Sequence, residues 1–151
     1  MIYTNNTKKA IKIMFEAHKN QLDKSGMPYV FHPWHVAEQM DDENSTIVAL
    51  LHDVIEDTKV TIEYLAEEGF DQNILDALIL LTHEDGVDYF DYVSRISSNE
   101  IATKVKMADL QHNMDLNRLS NVSSKDLERF EKYSRCYDYL LESLNKSNKK
   151  N

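Results

Sequence analysis

An all-α fold is what this chain predicts, and three observations carry that expectation. Only three glycines and two prolines occur in 151 residues, which leaves little punctuation for a sheet. Apolar residues recur at helical period along nearly every segment. Helix-capping residues, among them Thr61, Asn99 and Ser123, stand just ahead of those runs.

The elements follow in order as a helical bundle of seven or eight helices. Residues 5–20 make a first amphipathic helix with Ile11, Met14, Phe15 and His18 on one side. A loop at 21–31 contains Ser25-Gly26 and Pro28, and Pro33 suits the first turn of a second helix over 33–40. A third helix carries the run LLHDVIEDT, residues 50–58. Thr61 caps a short fourth helix that Gly69 ends, and Asp71 can cap a fifth with apolar positions from Ile74 to Leu81. Beyond a loop around Gly86, residues 88–97 and 99–115 read as two helices, with Asn99 capping the second. Ser123 or Ser124 opens a long last helix to Leu144, and the tail NKSNKKN reads as frayed.

A chain of this length is expected to form one domain, 1–151, with its core over 5–144. Mean hydropathy of −0.54 is ordinary for soluble protein. No stretch approaches the apolar length of a membrane span, and MIYTNNTKKA has no signal-peptide pattern. The single Cys136 cannot form an internal disulfide, which fits a cytoplasmic setting; its spacing from Tyr133 and Leu140 makes it a core residue. A net charge of −9 argues against broad nucleic-acid binding, which needs a basic face. A small polyanion stays open as a ligand if a metal and local lysines or arginines offset the overall field.

The chemistry concentrates in LLHDVIEDT. At about 100° per residue, His52, Asp53, Glu56 and Asp57 share one arc, opposite Val48, Leu50, Leu51, Val54 and Ile55. Four titratable groups on a buried helix need a partner, because unpaired charges are costly to desolvate. No Lys or Arg occurs from 41 to 58 to supply one. A divalent metal is the simplest solution. FHPWHVA adds His32 and VKMADLQHN adds Asp109, giving two imidazoles and two carboxylates with room for water and substrate. Such donors suit Mn²⁺, Fe²⁺ or Zn²⁺. The competing reading of Asp109 is an ion pair with Lys106. His35, His83 and His112 read as surface or core residues, with His35 one turn from His32.

AHKNQLDKSGMPYVFHPWHVA (17–37), ALLHDVIEDT (49–58) and VKMADLQHN (105–113) resemble, in order and spacing, the HD-domain hydrolases of the RelA/SpoT type, in particular their short single-domain members. The resemblance spans residues 8–144 and leaves no residues here for a synthetase domain. It implies a helical HD fold and Mn²⁺ held by His32, His52, Asp53 and Asp109. It also implies that the pair Glu56-Asp57 serves water attack, and that the reaction removes the 3′-pyrophosphate of (p)ppGpp. Under the same resemblance the loop Lys24 to Tyr29, with Ser25, lies beside the nucleotide, and Asn113 lies near the metal and sugar. The chain departs from the family pattern at Asp23-Lys24, where alarmone hydrolases carry Arg-Lys, and at Asn20, where glycine is frequent. An aspartate cannot stack on a purine as a guanidinium can.

Spacing adds detail. Glu56 follows His52 by one turn and Asp57 follows Asp53 by one turn, and two neighbouring carboxylates push one pKa up. Glu56 is therefore expected to be the base, with Asp57 orienting the water. Asn113 and Lys106 share an arc with Asp109, and Lys24, Arg118, Lys104 and Arg95 are further candidates to hold phosphate. Tyr29 or Tyr89 can cover a base. Three functions stay open: (p)ppGpp hydrolysis, HD-domain hydrolysis of NADPH or a nucleoside monophosphate, and a catalytically silent nucleotide-binding module.

Overall fold

The computed structural model describes residues 1–151 and contains nine α-helical segments, one 3₁₀ turn and no strand. These are α1 (Asn5–His18), α2 (Phe31–Glu38), α3 (Glu43–Leu51), α4 (Val54–Asp57), α5 (Ile62–Glu67), α6 (Gln72–Leu81), α7 (Tyr89–Ile96), α8 (Glu100–Asn113) and α9 (Ser124–Lys149), with the 3₁₀ turn at Leu116–Arg118. Segments α3 and α4 are the two halves of the expected third helix, so the bundle has eight helices when the broken one is counted once.

Capping residues act largely as the sequence indicates. Thr61 accepts from the Tyr64 amide, Asn99 from Ala102, and Ser123 forms a reciprocal capping box with Asp126. Gly69 follows α5 with φ of +87°, a conformation that favours glycine. Asp71 occupies the N-cap of α6, but its side chain makes no capping bond.

Four expectations are corrected. Helix α1 ends at His18, and Phe15 is 51% exposed instead of lying on the buried side. Helix α2 starts at Phe31, so Pro33 lies inside its first turn, where a missing N–H forfeits no bond. Helix α9 continues to Lys149 and absorbs most of the tail expected to fray; no glycine or proline interrupts it, and Lys146 and Lys149 suit its negative end. The third helix breaks at His52-Asp53. There the His52 Nδ1–H donates to the Ala49 carbonyl at 2.6 Å, competing for the acceptor a continuing helix would give to Asp53.

The core centres on α3, whose residues Ser45 to Leu51 are all buried, wrapped by α1, α2, α6 and α8. A helix apolar on all sides has to be enclosed in this way. Cys136 and Leu140 of α9 are buried, as the spacing indicated. Leu50 is fully enclosed. Leu50→Ala should cost about 2–5 kcal/mol, measured as a lowered midpoint in urea unfolding. The fold thereby brings the end of α3, the first turn of α2 and the last turns of α8 to one place.

Candidate metal and active site

His32, His52 and Asp109 offer ligand atoms that all lie within 4.8 Å of one another, and all three residues are buried. His32 Nε2 lies 3.0 Å from Asp109 Oδ1 and 3.7 Å from Asp53 Oδ2. His52 Nε2 lies 3.1 Å from Asp53 Oδ2 and 3.6 Å from Asp109 Oδ1. The four residues expected to form a metal site therefore converge, although they come from two helices, α2 and α8, and the break between α3 and α4.

The surroundings fix how each donor points. With its Nδ1–H committed to Ala49, His52 turns Nε2 toward two carboxylates, and that buried atom has no hydrogen-bond partner. A lone pair facing two carboxylates in a dry site is unfavourable unless a cation or proton lies between them. The donor set thus fits a divalent cation. Without one, a proton takes the place: burial opposes the charged imidazolium, but Asp53 and Asp109 outweigh it and hold His52 well above its usual range. Burial alone would raise both carboxyls. His52 and His32 bring Asp53 down to about 2, and Lys106 with the two histidines holds Asp109 well below the usual range.

Neighbouring groups buttress these donors. Lys106 Nζ donates to Asp109 Oδ2 at 2.8 Å and Asn113 Nδ2 to Oδ1 at 2.9 Å. The Tyr29 hydroxyl donates to Asp53 Oδ2 at 2.5 Å. Burial first, then the Asp53 charge, raises the Tyr29 pKa, so it stays a donor.

His112, which the sequence reading assigned to surface or core, is a site residue. Its Nδ1 lies 2.7 Å from His32 Nδ1, with the rings stacked at 5.0 Å, and His35 stacks on its other side at 4.0 Å. One of the two Nδ1 atoms must carry the proton. Burial and the charges of His32 and Arg118 lower the His112 pKa to about 3, so it is a neutral acceptor. His32 Nδ1–H then donates, which turns Nε2 toward Asp109 and the site. His112→Ala should weaken binding of a divalent cation by about 10–100-fold with the fold retained, as read by calorimetric titration.

Beside the cluster opens a cleft of about 310 Å³. Of the residues expected at a substrate, Lys24, Ser25, Tyr29, Asn113 and Arg118 line it, together with His32. Lys106 does not. Its ammonium is buried behind Asp109, over the rings of Tyr89 and Tyr92. It therefore holds a carboxylate instead of a phosphate, the competing reading of the spacing. Lys104 is a half-buried partner of Glu100, and neither Arg95 nor Tyr89 lines the cleft. Arg129 and Tyr133 of α9 do, and the sequence reading missed both; a helical wheel of α9 alone does not show which neighbour it packs against.

Glu56 and Asp57 lie exposed on α4, with only their carboxyl groups partly covered by neighbours, and do not line this cleft. Glu56 Oε1 accepts from the His83 amide at 2.6 Å. Burial, followed by the Asp53 and Asp57 charges, raises the Glu56 carboxyl despite that bond, and burial with Asp53 raises Asp57. His18 is fully buried, with Nδ1 on Gln21 Oε1 at 2.8 Å and its ring against Tyr29.

No helix is long and apolar enough to cross a membrane, and no family model matches the chain. Individual proteins do. The chain is 31% identical over 118 residues to a probable GTP pyrophosphokinase of Mycobacterium leprae (strain TN), covering 70% of this chain and 15% of that one. It is 36% identical over 114 residues to the guanosine-3′,5′-bis(diphosphate) 3′-pyrophosphohydrolase of Haemophilus influenzae, covering 66% and 17%. The chain thus spans less than a fifth of the length of these relatives. A solved structure described as a metazoan ortholog of SpoT that hydrolyzes ppGpp superimposes with a TM-score of 0.73 at 21% identity, covering 95% of this chain and 88% of that one. By sequence along most of its length and by fold along nearly all of it, the chain is a homologue of the RelA/SpoT-type HD-domain proteins.

Proposed function

We propose that this protein is a Mn²⁺-dependent phosphohydrolase that removes the 3′-pyrophosphate of (p)ppGpp, releasing GDP or GTP and pyrophosphate. The observation that carries the reading is the partnerless Nε2 of His52, buried between Asp53 and Asp109 beside a cleft lined by Lys24, Arg118 and Arg129 together with Asp23, Asp115 and Asp126. The names of the relatives and of the structural neighbour point to the same substrate.

His32, His52, Asp53 and Asp109 would hold the cation, whose chemistry when bound would be to lower the pKa of a water and to offset charge on the phosphate. Lys106 and Asn113 keep Asp109 aimed, and Tyr29 does the same for Asp53. Glu56 takes the proton of the attacking water, which Asp57 orients; the water oxygen bonds to phosphorus as the bond between the 3′ oxygen and phosphorus breaks, and the 3′ oxygen leaves as a hydroxyl by taking up a proton. Lys24 and Arg118 bind the phosphates, Ser25 shapes the loop that carries Lys24, and Asn113 faces the sugar. Burial of His32, His52 and Asp109 strengthens the electrostatic interactions made at those three residues.

The test is anion-exchange analysis after incubating Mn²⁺-loaded protein with ppGpp. The expected products are GDP and pyrophosphate in equal amounts. Intact ppGpp beside bound Mn²⁺ would overturn the substrate assignment and direct the assay to NADPH.

A further inference from the structure

Every guanidinium that lines the cleft is held by a carboxylate. Arg118 Nη2 lies 3.7 Å from Asp23 Oδ2, and Arg129 Nη2 lies 2.9 Å from Asp126 Oδ1. Lys24 is the one lysine or arginine of the lining without such a partner. The Asp23 pair is built into the cleft mouth from both sides. Asp23 Oδ1 accepts from the Ser25 and Met27 amides at 2.8 and 3.0 Å, which fixes its carboxylate at the tip of the loop. Ser25 Oγ donates to the Arg118 carbonyl at 2.8 Å, which ties that loop to the 3₁₀ turn. Arg118 is steadied in turn by donating Nη1 to the His112 carbonyl at 2.9 Å.

We propose that Asp23 is a specificity-determining residue: by pairing with Arg118 and by its own charge it lowers the affinity of the cleft for a diphosphate more than for a monophosphate. The inference deepens the phosphohydrolase reading and rests on it for the identity of the ligand. The physical reason is direct. Both side chains are partly exposed, at 20% for Asp23 and 26% for Arg118, so their pairing is moderate and a phosphate can compete for the guanidinium. A diphosphate entering the cleft must also approach the Asp23 charge, and that repulsion grows with phosphate charge.

Asp23→Asn is the discriminating variant, because an amide oxygen keeps the loop's two acceptor bonds and removes only the charge. The experiment titrates the full, Mn²⁺-loaded protein with inorganic pyrophosphate and, separately, with inorganic phosphate, at fixed ionic strength. Asp23→Asn should tighten pyrophosphate by about three- to fivefold, and phosphate by less. Arg118→Ala should weaken pyrophosphate, and adding Asp23→Asn to it should recover part of that loss, because the repulsion is relieved while the pairing is already gone. Unchanged or weaker pyrophosphate binding in Asp23→Asn would overturn the proposal, leaving Asp23 a loop cap. So would an Arg118→Ala variant that binds pyrophosphate as the wild type does. These titrations need no turnover. Failure to hydrolyse ppGpp therefore bears on the proposed function, and failure of the titrations bears on Asp23.

Discussion

Glu56→Gln should lower kcat by about 10²–10⁴-fold while the protein keeps its metal and its fold. The amide oxygen introduced there can still accept the His83 amide bond that Glu56 makes now, so the loop it anchors has no reason to move. What disappears is the group that takes a proton. The sign of the pH dependence follows from its environment. Burial, with Asp53 and Asp57 nearby, raises the Glu56 carboxyl above its usual range. Its proton-accepting form is therefore lost at a higher pH than for a free glutamate as the solution is acidified. Turnover of the wild type should fall on the acid side through that raised value. Any residual activity of Glu56→Gln should lack this limb, which a pH profile of kcat reads. A fully active variant would move the role to Asp57.

Asp109→Ala should abolish both metal retention and turnover, and should destabilise the fold as well. Asp109 meets His32, Lys106 and Asn113 by direct bonds. Removing it leaves the buried Lys106 ammonium without a counter-charge, at a cost of about 3–5 kcal/mol. Elemental analysis and thermal unfolding check the two parts. Asp109→Asn separates them, because a neutral amide is a poor metal ligand yet can still accept from Lys106.

Much of this site was legible in the sequence, for reasons particular residues make plain. His52, Asp53, His32 and Asp109 carry chemistry that an apolar setting cannot tolerate unpartnered, so their identity and context signalled a cluster before any coordinates did. The angular spacing of Asp109, Lys106 and Asn113 on α8 also held, because that helix is regular. It could not decide whether Lys106 faces a phosphate or the carboxylate beside it. Burial against Tyr89 and Tyr92 decided that. The break at His52-Asp53 was hidden because it comes from a side chain bonding its own backbone, which periodicity does not register. His112, Arg129 and Tyr133 were missed for a different reason. Their roles depend on which helices pack together, and no local pattern in α8 or α9 names the neighbour. Asp23 stood out as a departure from a resembling family, but its pairing with Arg118 spans residues far apart in sequence and appears only in the fold.

Calorimetric titration of Mn²⁺ into chelator-stripped protein at pH 7, in buffers of differing ionisation enthalpy, tests most directly the claim that the histidine–aspartate cluster is a cation site. Two carboxylates hold a proton on His52 well above its usual range, and a metal at Nε2 must displace it. One Mn²⁺ per chain should bind with release of about one proton, and both should be lost in His52→Ala. Absence of stoichiometric binding, or binding that survives the loss of His52 unchanged, would contradict the assignment.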